Sequence, residues 1–394
     1  MSETVSMDRE KSAAARRVEA LRGQLTRLAV KIHDNPEPGF KEVKASGWLT
    51  SFLEQKGFAV TRGICDMPTA FSACYGKGVP RIALLAEYDA LPGVGHACGH
   101  NLICTIAAGA GVASMKTVDL HGGSVLVIGT PAEELYGGKV IMAERGAFAD
   151  IDAAMLVHPE TFDSATSSAL ACQNLSVEFF GKSAHAAAAP QNGINALDAM
   201  ILSFDAIAAL RQQMRSTARV HGIITHGGDA ANVIPDHTAA TFIVRAADDA
   251  YLDDLEKRVL NCFTGAATAT GARLEYRWDD VRYAAMISNI TLAKLYADNM
   301  KTLGREARIP PAGPGFGSTD MGNVSQVTAA IHPMVAVAPR GVQIHSPDFA
   351  RAAVSEAAFK GMVDAAKAVA MTVVDLLGSP EKLRQVREEF SRTQ

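Results

Sequence analysis

Residues 84–102 read LLAEYDALPGVGHACGHNL. Their opening residues complete an apolar run, Ile82–Ala86, that is bounded by charged residues and too short for a helix. Such a run suits a strand buried on both faces of a mostly parallel sheet. The chain then enters a Pro/Gly loop that holds His96, Cys98 and His100. Residues two apart project to the same side of extended chain, so Cys98 and His100 can converge on one metal centre. Imidazole and thiolate are suitable ligands for borderline metals such as zinc. The competing reading is a loop of satisfied polar residues with one buried cysteine.

Three further motifs carry similar chemistry. GTPAEE, residues 129–134, follows the apolar run Ser124–Gly129. Two adjacent carboxylates at a strand end are costly unless solvated or bound to cations. Their side chains diverge, so one can ligate a metal while the other acts as a base. MLVHPE, residues 155–160, puts His158 at the end of another short run, and QIHSPDF, residues 343–349, puts His345 in a loop before the last long helix. Taken singly, each residue is more ordinarily structural. Ligands of α/β sheets gather outside the carboxyl ends of strands, however, so four such motifs together point to a metal site.

Periodicity organises the rest. Helices are expected at 8–32, 44–57 and 102–116, the last rich in Ala and Gly and therefore buried. Near Ala171 the pattern changes to β-α-β-β-α-β, with strands at 174–180, 220–225, 238–245 and 273–278 and helices at 196–214 and 249–269. The α/β character returns after Asn289, with helices near 288–303 and 351–376 and a strand at 334–337. The fold expected is α/β: a mixed, mostly parallel sheet flanked by helices, formed by 1–171 and 285–394. It is interrupted by an inserted α+β domain, 172–284, with an antiparallel four-stranded sheet and two helices. The charged tail after Gly378 is expected to be peripheral.

Composition narrows the function. The 394 residues are 48% hydrophobic and 20% charged, enough to bury a sizeable core. A net charge of −4, from 38 basic and 42 acidic residues, leaves no electrostatic footprint for nucleic acid or an anionic membrane. The N-terminal MSETVSMDREKSAAARR lacks an apolar signal core, and the 6 cysteines form no disulfide framework, so a cytoplasmic protein is expected. Five of them (65, 74, 104, 172 and 262) read as small buried residues, and His121, His221, His226, His237 and His332 have no partner motif. No G-x-G-x-x-G follows an early strand, and no G-x-S-x-G is present, which excludes nicotinamide chemistry and a serine nucleophile of that type.

The segment 84–102 with PAEE, HPE, GKSAHAA (181–187), ANVIPD (231–236), GSTDMGNVS (317–325) and IHSPD (344–348) resembles the metal-dependent aminoacylase and carboxypeptidase family, peptidase family M20. Within it, the similarity is to the amidohydrolase branch that includes aminobenzoyl-glutamate hydrolase and N-acyl-amino-acid amidohydrolases. The motifs occur in family order across nearly the whole chain. The resemblance implies two divalent metals, zinc or manganese, held by Cys98, His100, Glu134, His158 and His345, with Asp89 orienting ligands from behind. It implies Glu133 as general base, His185 as donor to the oxyanion, often across a dimer, and Asn232 and Arg245 as binders of a substrate carboxylate. The inserted domain would be a lid and dimerisation domain. One departure stands out: the family's usual histidine two residues before Asp89 is Glu87 here, and Cys98 with His100 would compensate. The implied reaction is metal-dependent hydrolysis of an N-acyl or N-aroyl amino acid or short dipeptide. Hydrolysis of another C–N bond, such as that of an activated aromatic amine, and a silent binding protein are the rival readings.

Overall fold

The computed structural model describes residues 3–311 and 317–393. Strands are β1 (Ala59–Arg62), β2 (Phe71–Lys77), β3 (Arg81–Ala86), β4 (Gly123–Gly129), β5 (Ala153–Met155), β6 (His158–Glu160), β7 (Ala171–Phe180), β8 (Arg219–His226), β9 (His237–Ala246), β10 (Arg273–Tyr283), β11 (Ala330–Ile331) and β12 (Met334–Ala336). The chain forms two compact units. The first runs through Ser168 and resumes at Met286; the second is Ala169–Ala285 with residues 317–319.

The first unit is built on a six-stranded mixed sheet in the order β1-β2-β4-β3-β5-β11. β4, β3, β5 and β11 are parallel, and β1 and β2 close one edge in antiparallel pairing. The run Ile82–Ala86 is apolar throughout because both its faces are covered. Ile82, Leu84 and Ala86 face one core with the helices Glu3–His33, His100–His121 and Glu356–Gly378. Ala83 and Leu85 face a second core with Met142, Phe148, Met321 and Val324. β6 and β12 form a separate parallel pair. The helix His100–His121 is long and apolar enough to cross a membrane, but most of its residues are buried inside this unit.

The second unit is an antiparallel sheet in the order β10-β7-β9-β8. Leu175, Val177, Phe179, Ala240, Phe242 and Val244 alternate onto one face and pack on the helices Ala196–Arg211 and Asp249–Thr270. Asn195 and Asp248 cap those helices: the side chain of each accepts backbone N–H groups of the first turn.

Three local expectations are corrected. β1 and β2 lie outside the strands expected, because β1 is an exposed edge and the paired Phe71–Lys77 includes polar and glycine positions. The stretch expected as one strand at 155–158 ends at Met155, and His158 begins β6. The tail is not peripheral: Pro380–Thr393 is a helix whose Leu383 and Val386 are buried in the first core. Its Glu389 accepts the N–H groups of Ile290 and Thr291 at the start of another helix.

Candidate metal centre

The carboxyl ends of the parallel strands assemble the site in the first unit. β3 leads to Glu87 and Asp89, β4 to Glu133 and Glu134, β5 to His158, and β11 to His332. Gly99 has φ +79°, and a Cβ there would lie 2.9 Å from Pro159 Cγ, so glycine lets the chain turn sharply between Cys98 and His100. His345 is itself in the left-handed region, φ +63°, and its N–H donates to the carbonyl of Ala97 at 2.9 Å.

Three groups of donor atoms each lie within 4.8 Å of one another: Cys98, His100 and His158; Cys98, Glu134 and His345; His100, Glu133 and Glu134. Cys98, His100 and Glu134 each belong to two groups, so the arrangement is one of adjoining centres. A tetrahedral ion with bonds of about 2.0–2.3 Å separates its ligand atoms by roughly 3.3–3.8 Å. Here Cys98 Sγ lies 3.2 Å from His158 Nε2, His100 Nε2 3.7 Å from Glu134 Oε1, and His345 Nε2 3.6 Å from Glu134 Oε2. His100 Nε2 and Glu134 Oε1 are buried without a hydrogen-bond partner. That combination of spacing and orphaned donors fits divalent cations.

The histidines are oriented for this role from behind. His100 Nδ1 is 3.0 Å from Asp89 Oδ1 and 2.9 Å from the Asp89 carbonyl, so Nδ1–H donates to Asp89 and Nε2 is the nitrogen left facing the site. His158 Nδ1–H donates to the Pro159 carbonyl at 2.7 Å with the same consequence. Burial pushes the Asp89 carboxyl up, but the charge and hydrogen bond of His100 and the Glu134 N–H outweigh it and hold it at about 2. Burial lowers His158 to about 4, keeping it neutral, as a ligand must be. Burial also raises the Cys98 thiol well above its ordinary value. Only a bound cation would make it a thiolate at neutral pH.

Burial, followed by the charges of Glu87 and Asp320, pushes the Glu133 carboxyl well above the usual carboxylate range. Those neighbours belong to a group that sequence reading did not assemble. Lys139, fully buried, places Nζ 2.5 Å from Glu87 Oε1 and 2.8 Å from Asp320 Oδ1, and its N–H donates to Asp320 Oδ2 at 2.8 Å. Glu87, Glu133 and Asp320 have the spacing of a metal cage. A lysine ammonium already sits among them. The signal was a lone lysine in the otherwise uncharged stretch after Glu134. His332, read as having no partner motif, is buried with both ring nitrogens unpartnered, 5.6 Å edge-on from His158. It follows a strand, β11, too short to see in the sequence.

His185, Asn232 and Arg245 lie in the second unit. His185 and Asn232 are neighbours: His185 bridges to Val233, and Ala186 N–H donates to the Asn232 carbonyl at 3.0 Å. His185 is exposed, and its Nδ1 accepts the N–H groups of Ala187 and Ala188 at 3.3 and 3.1 Å, which leaves the proton on Nε2. Arg245 stands near the far end of β9, eight residues or about 26 Å beyond His237, and donates to Ser318 Oγ at 2.8 Å. Asn232 and Arg245 are therefore not adjacent. Of the Gly/Pro-rich stretch 311–320, which leads into GSTDMGNVS and resembles the family's substrate-side loop, residues 312–316 lie outside the described residues.

Residues 173–268 match the family described as the M20 peptidase dimerisation domain. The chain is 37% identical over 406 residues to the Xaa-Arg dipeptidase of Mus musculus, covering 99% of this chain and 94% of that protein. It is 38% identical over 283 residues to a p-aminobenzoyl-glutamate hydrolase chain of Escherichia coli (strain K12), covering 66% of this chain and 59% of the relative. Among solved structures, a Bacillus subtilis protein described as a dinuclear metal binding peptidase from the M20 family superposes with a TM-score of 0.71 at 20% identity, over 91% of this chain and 99% of that one. The last likeness bears on the fold alone. The mouse relative carries more: at this identity and over nearly the full length of both chains, the protein belongs to the M20 family of metallopeptidases and amidohydrolases, enzymes that hydrolyse amide bonds.

Proposed function

We propose that this enzyme cleaves the amide of an N-acyl or N-aroyl amino acid or of a short dipeptide, with Glu133 as the proton carrier. The observation that carries the reading is the pair at the end of β4. Glu134 faces His100 and His345, while Glu133 sits beside it with a carboxyl pushed up by burial and negative neighbours. A carboxylate placed there, beside Glu134 and the histidines, can accept a proton from water and return it to a leaving nitrogen.

Cys98, His100, Glu134, His158 and His345 would hold two divalent ions, zinc or manganese, which supply Lewis acidity toward water and the amide carbonyl. Asp89 fixes the His100 ring so that Nε2 stays on the site side. His185, with its proton on Nε2 and its ring exposed, is suited to donate to the oxyanion. Arg245 is suited to hold a substrate carboxylate in two parallel hydrogen bonds, with Ser318 steadying the guanidinium. His185 with Asn232 stands at one end of the second unit's sheet and Arg245 near the other. That separation favours a homodimer in which the two sets serve different active sites. The match of residues 173–268 to a dimerisation domain supports the same reading.

The test is turnover of a panel by metal-stripped protein reconstituted with zinc or manganese, alongside Glu133→Ala. The panel holds N-acyl amino acids, aminobenzoyl-glutamate, dipeptides ending in arginine, other short dipeptides and aromatic amines. Metal-dependent amide cleavage that the variant lacks supports the proposal. Release of ammonia from the amines alone would replace it with a deaminase. Metal binding without turnover of any member would favour the silent binding protein.

A further inference from the structure

Glu42 is fully buried, and among the described residues no lysine or arginine pairs with it. Its carboxylate spends both oxygens on the neighbourhood of the glutamate pair. Oε1 accepts the N–H of Ala132 at 2.9 Å, and Oε2 accepts the Thr69 hydroxyl at 2.9 Å. Thr69 is fixed in turn, since the Tyr88 hydroxyl donates to its carbonyl at 2.7 Å.

Ala132 immediately precedes Glu133 and has φ 62° and ψ 44°, a left-handed conformation that an L side chain resists. Such a residue persists only when its surroundings over-determine it, and such strain collects at functional sites. Three other contacts converge on the same turn. A Cβ at Gly39 would lie 2.9 Å from Ala132 Cβ, so only glycine lets the chain before Glu42 press against the turn. The Phe40 ring packs on Tyr136 with centroids 5.3 Å apart. On the opposite side, Glu134 N–H donates to Asp89 Oδ2 at 3.1 Å. The same segment reaches the other strand end as well, because the Glu37 carbonyl accepts the N–H of Ala90, next to Asp89, at 2.9 Å.

We propose that Glu42 is a positioning residue: it clamps the Ala132 N–H and so holds the left-handed turn that aims Glu133 and Glu134. The inference rests on the reading of that pair given above. A misplacement of about 1 Å in reacting groups can cost on the order of 100-fold in rate. Glu42→Ala should therefore lower kcat about 10- to 100-fold with KM changed less than about threefold. Glu42→Gln should keep kcat within about threefold of wild type, since its carbonyl still accepts from Ala132 while its amide donates to Thr69 Oγ. Adding Ala132→Gly to Glu42→Ala should recover kcat several-fold, because glycine adopts the turn without a clamp.

Gly39→Ala disturbs the turn from its other face while leaving Glu42 in place, and covers the case in which Glu42→Ala does not fold. It too should lower kcat more than it raises KM. Glu42→Ala with unchanged kcat, equal loss in Glu42→Ala and Glu42→Gln, or a Gly39→Ala variant of wild-type kcat would each overturn the clamp. Glu133→Ala in the same assay separates the two readings. If that variant stays active, the role of the pair falls; if it is inactive while Glu42→Ala turns over normally, only the clamp falls.

Discussion

Replacing Lys139 by methionine keeps the chain length and removes the ammonium. In the wild type, Nζ lies 2.5 Å from Glu87 and 2.8 Å from Asp320, with all three side chains buried. At an effective dielectric of about 20, each contact has a gross attraction of about 6–7 kcal/mol. The ammonium's own desolvation offsets much of that, and breaking a buried pair costs about 3–5 kcal/mol. Protonation sets an independent ceiling. A carboxyl that ionises near 4 in the unfolded chain can be neutralised in the folded variant at pH 7 for about 1.36 × 3, or about 4 kcal/mol. The two routes agree, and the second predicts a pH dependence. Without Lys139, the carboxyl's folded pKa lies above its unfolded value, so the variant's penalty grows as pH rises from the unfolded value toward the folded one. It should be about 4 kcal/mol at pH 7 and about 1.5 kcal/mol at pH 5. Urea unfolding of metal-free wild type and Lys139→Met at both values measures it. A penalty below about 1 kcal/mol at pH 7, or one that does not shrink at pH 5, would refute the argument that a lysine cation balances this carboxylate cage.

Other outcomes follow from the same geometry. Asp89→Asn removes the carboxylate that fixes His100 Nδ1–H, and metal affinity measured by competition with a chelator should fall about 10- to 100-fold. Burial pushes the Glu42 carboxyl up to about 7. A raised folded pKa contributes stability that is present below about 4.5 and lost as pH rises through 7. The stability of wild type relative to Glu42→Gln should accordingly decline by about 3 kcal/mol between pH 4.5 and 8; a flat difference in urea unfolding counts against that ionisation. Arg245→Lys should raise KM for a carboxylate substrate about tenfold with little change in kcat, since lysine cannot offer the bidentate fork. An equal fall in kcat would move Arg245 from binding to chemistry.

What the sequence carried was whatever has a local signature. The apolar runs at Ile82–Ala86 and Ser124–Gly129 are unbroken because helices cover both faces of the sheet, and they are the buried β3 and β4. Alternation from Asn174 to Phe180 is readable because only one face of that sheet meets helices. Cys98, His100, Glu133, Glu134 and His158 follow such runs, so their gathering at strand ends was legible from the residues alone. Edge strands lack that signature: β1 is largely exposed, and nothing in four residues distinguishes it from loop.

Tertiary structure alone decided the rest, because ion pairs and hydrogen bonds between distant segments leave no periodic trace. Lys139 meets Asp320 across 181 residues, and Glu42 meets Ala132 across 90. His332 borders the site only because a two-residue strand pairs with β5 and delivers it there. The sequence specifies which groups can do the chemistry; the packing of the sheet and its loops determines which charges balance them and which backbone turns hold them in place.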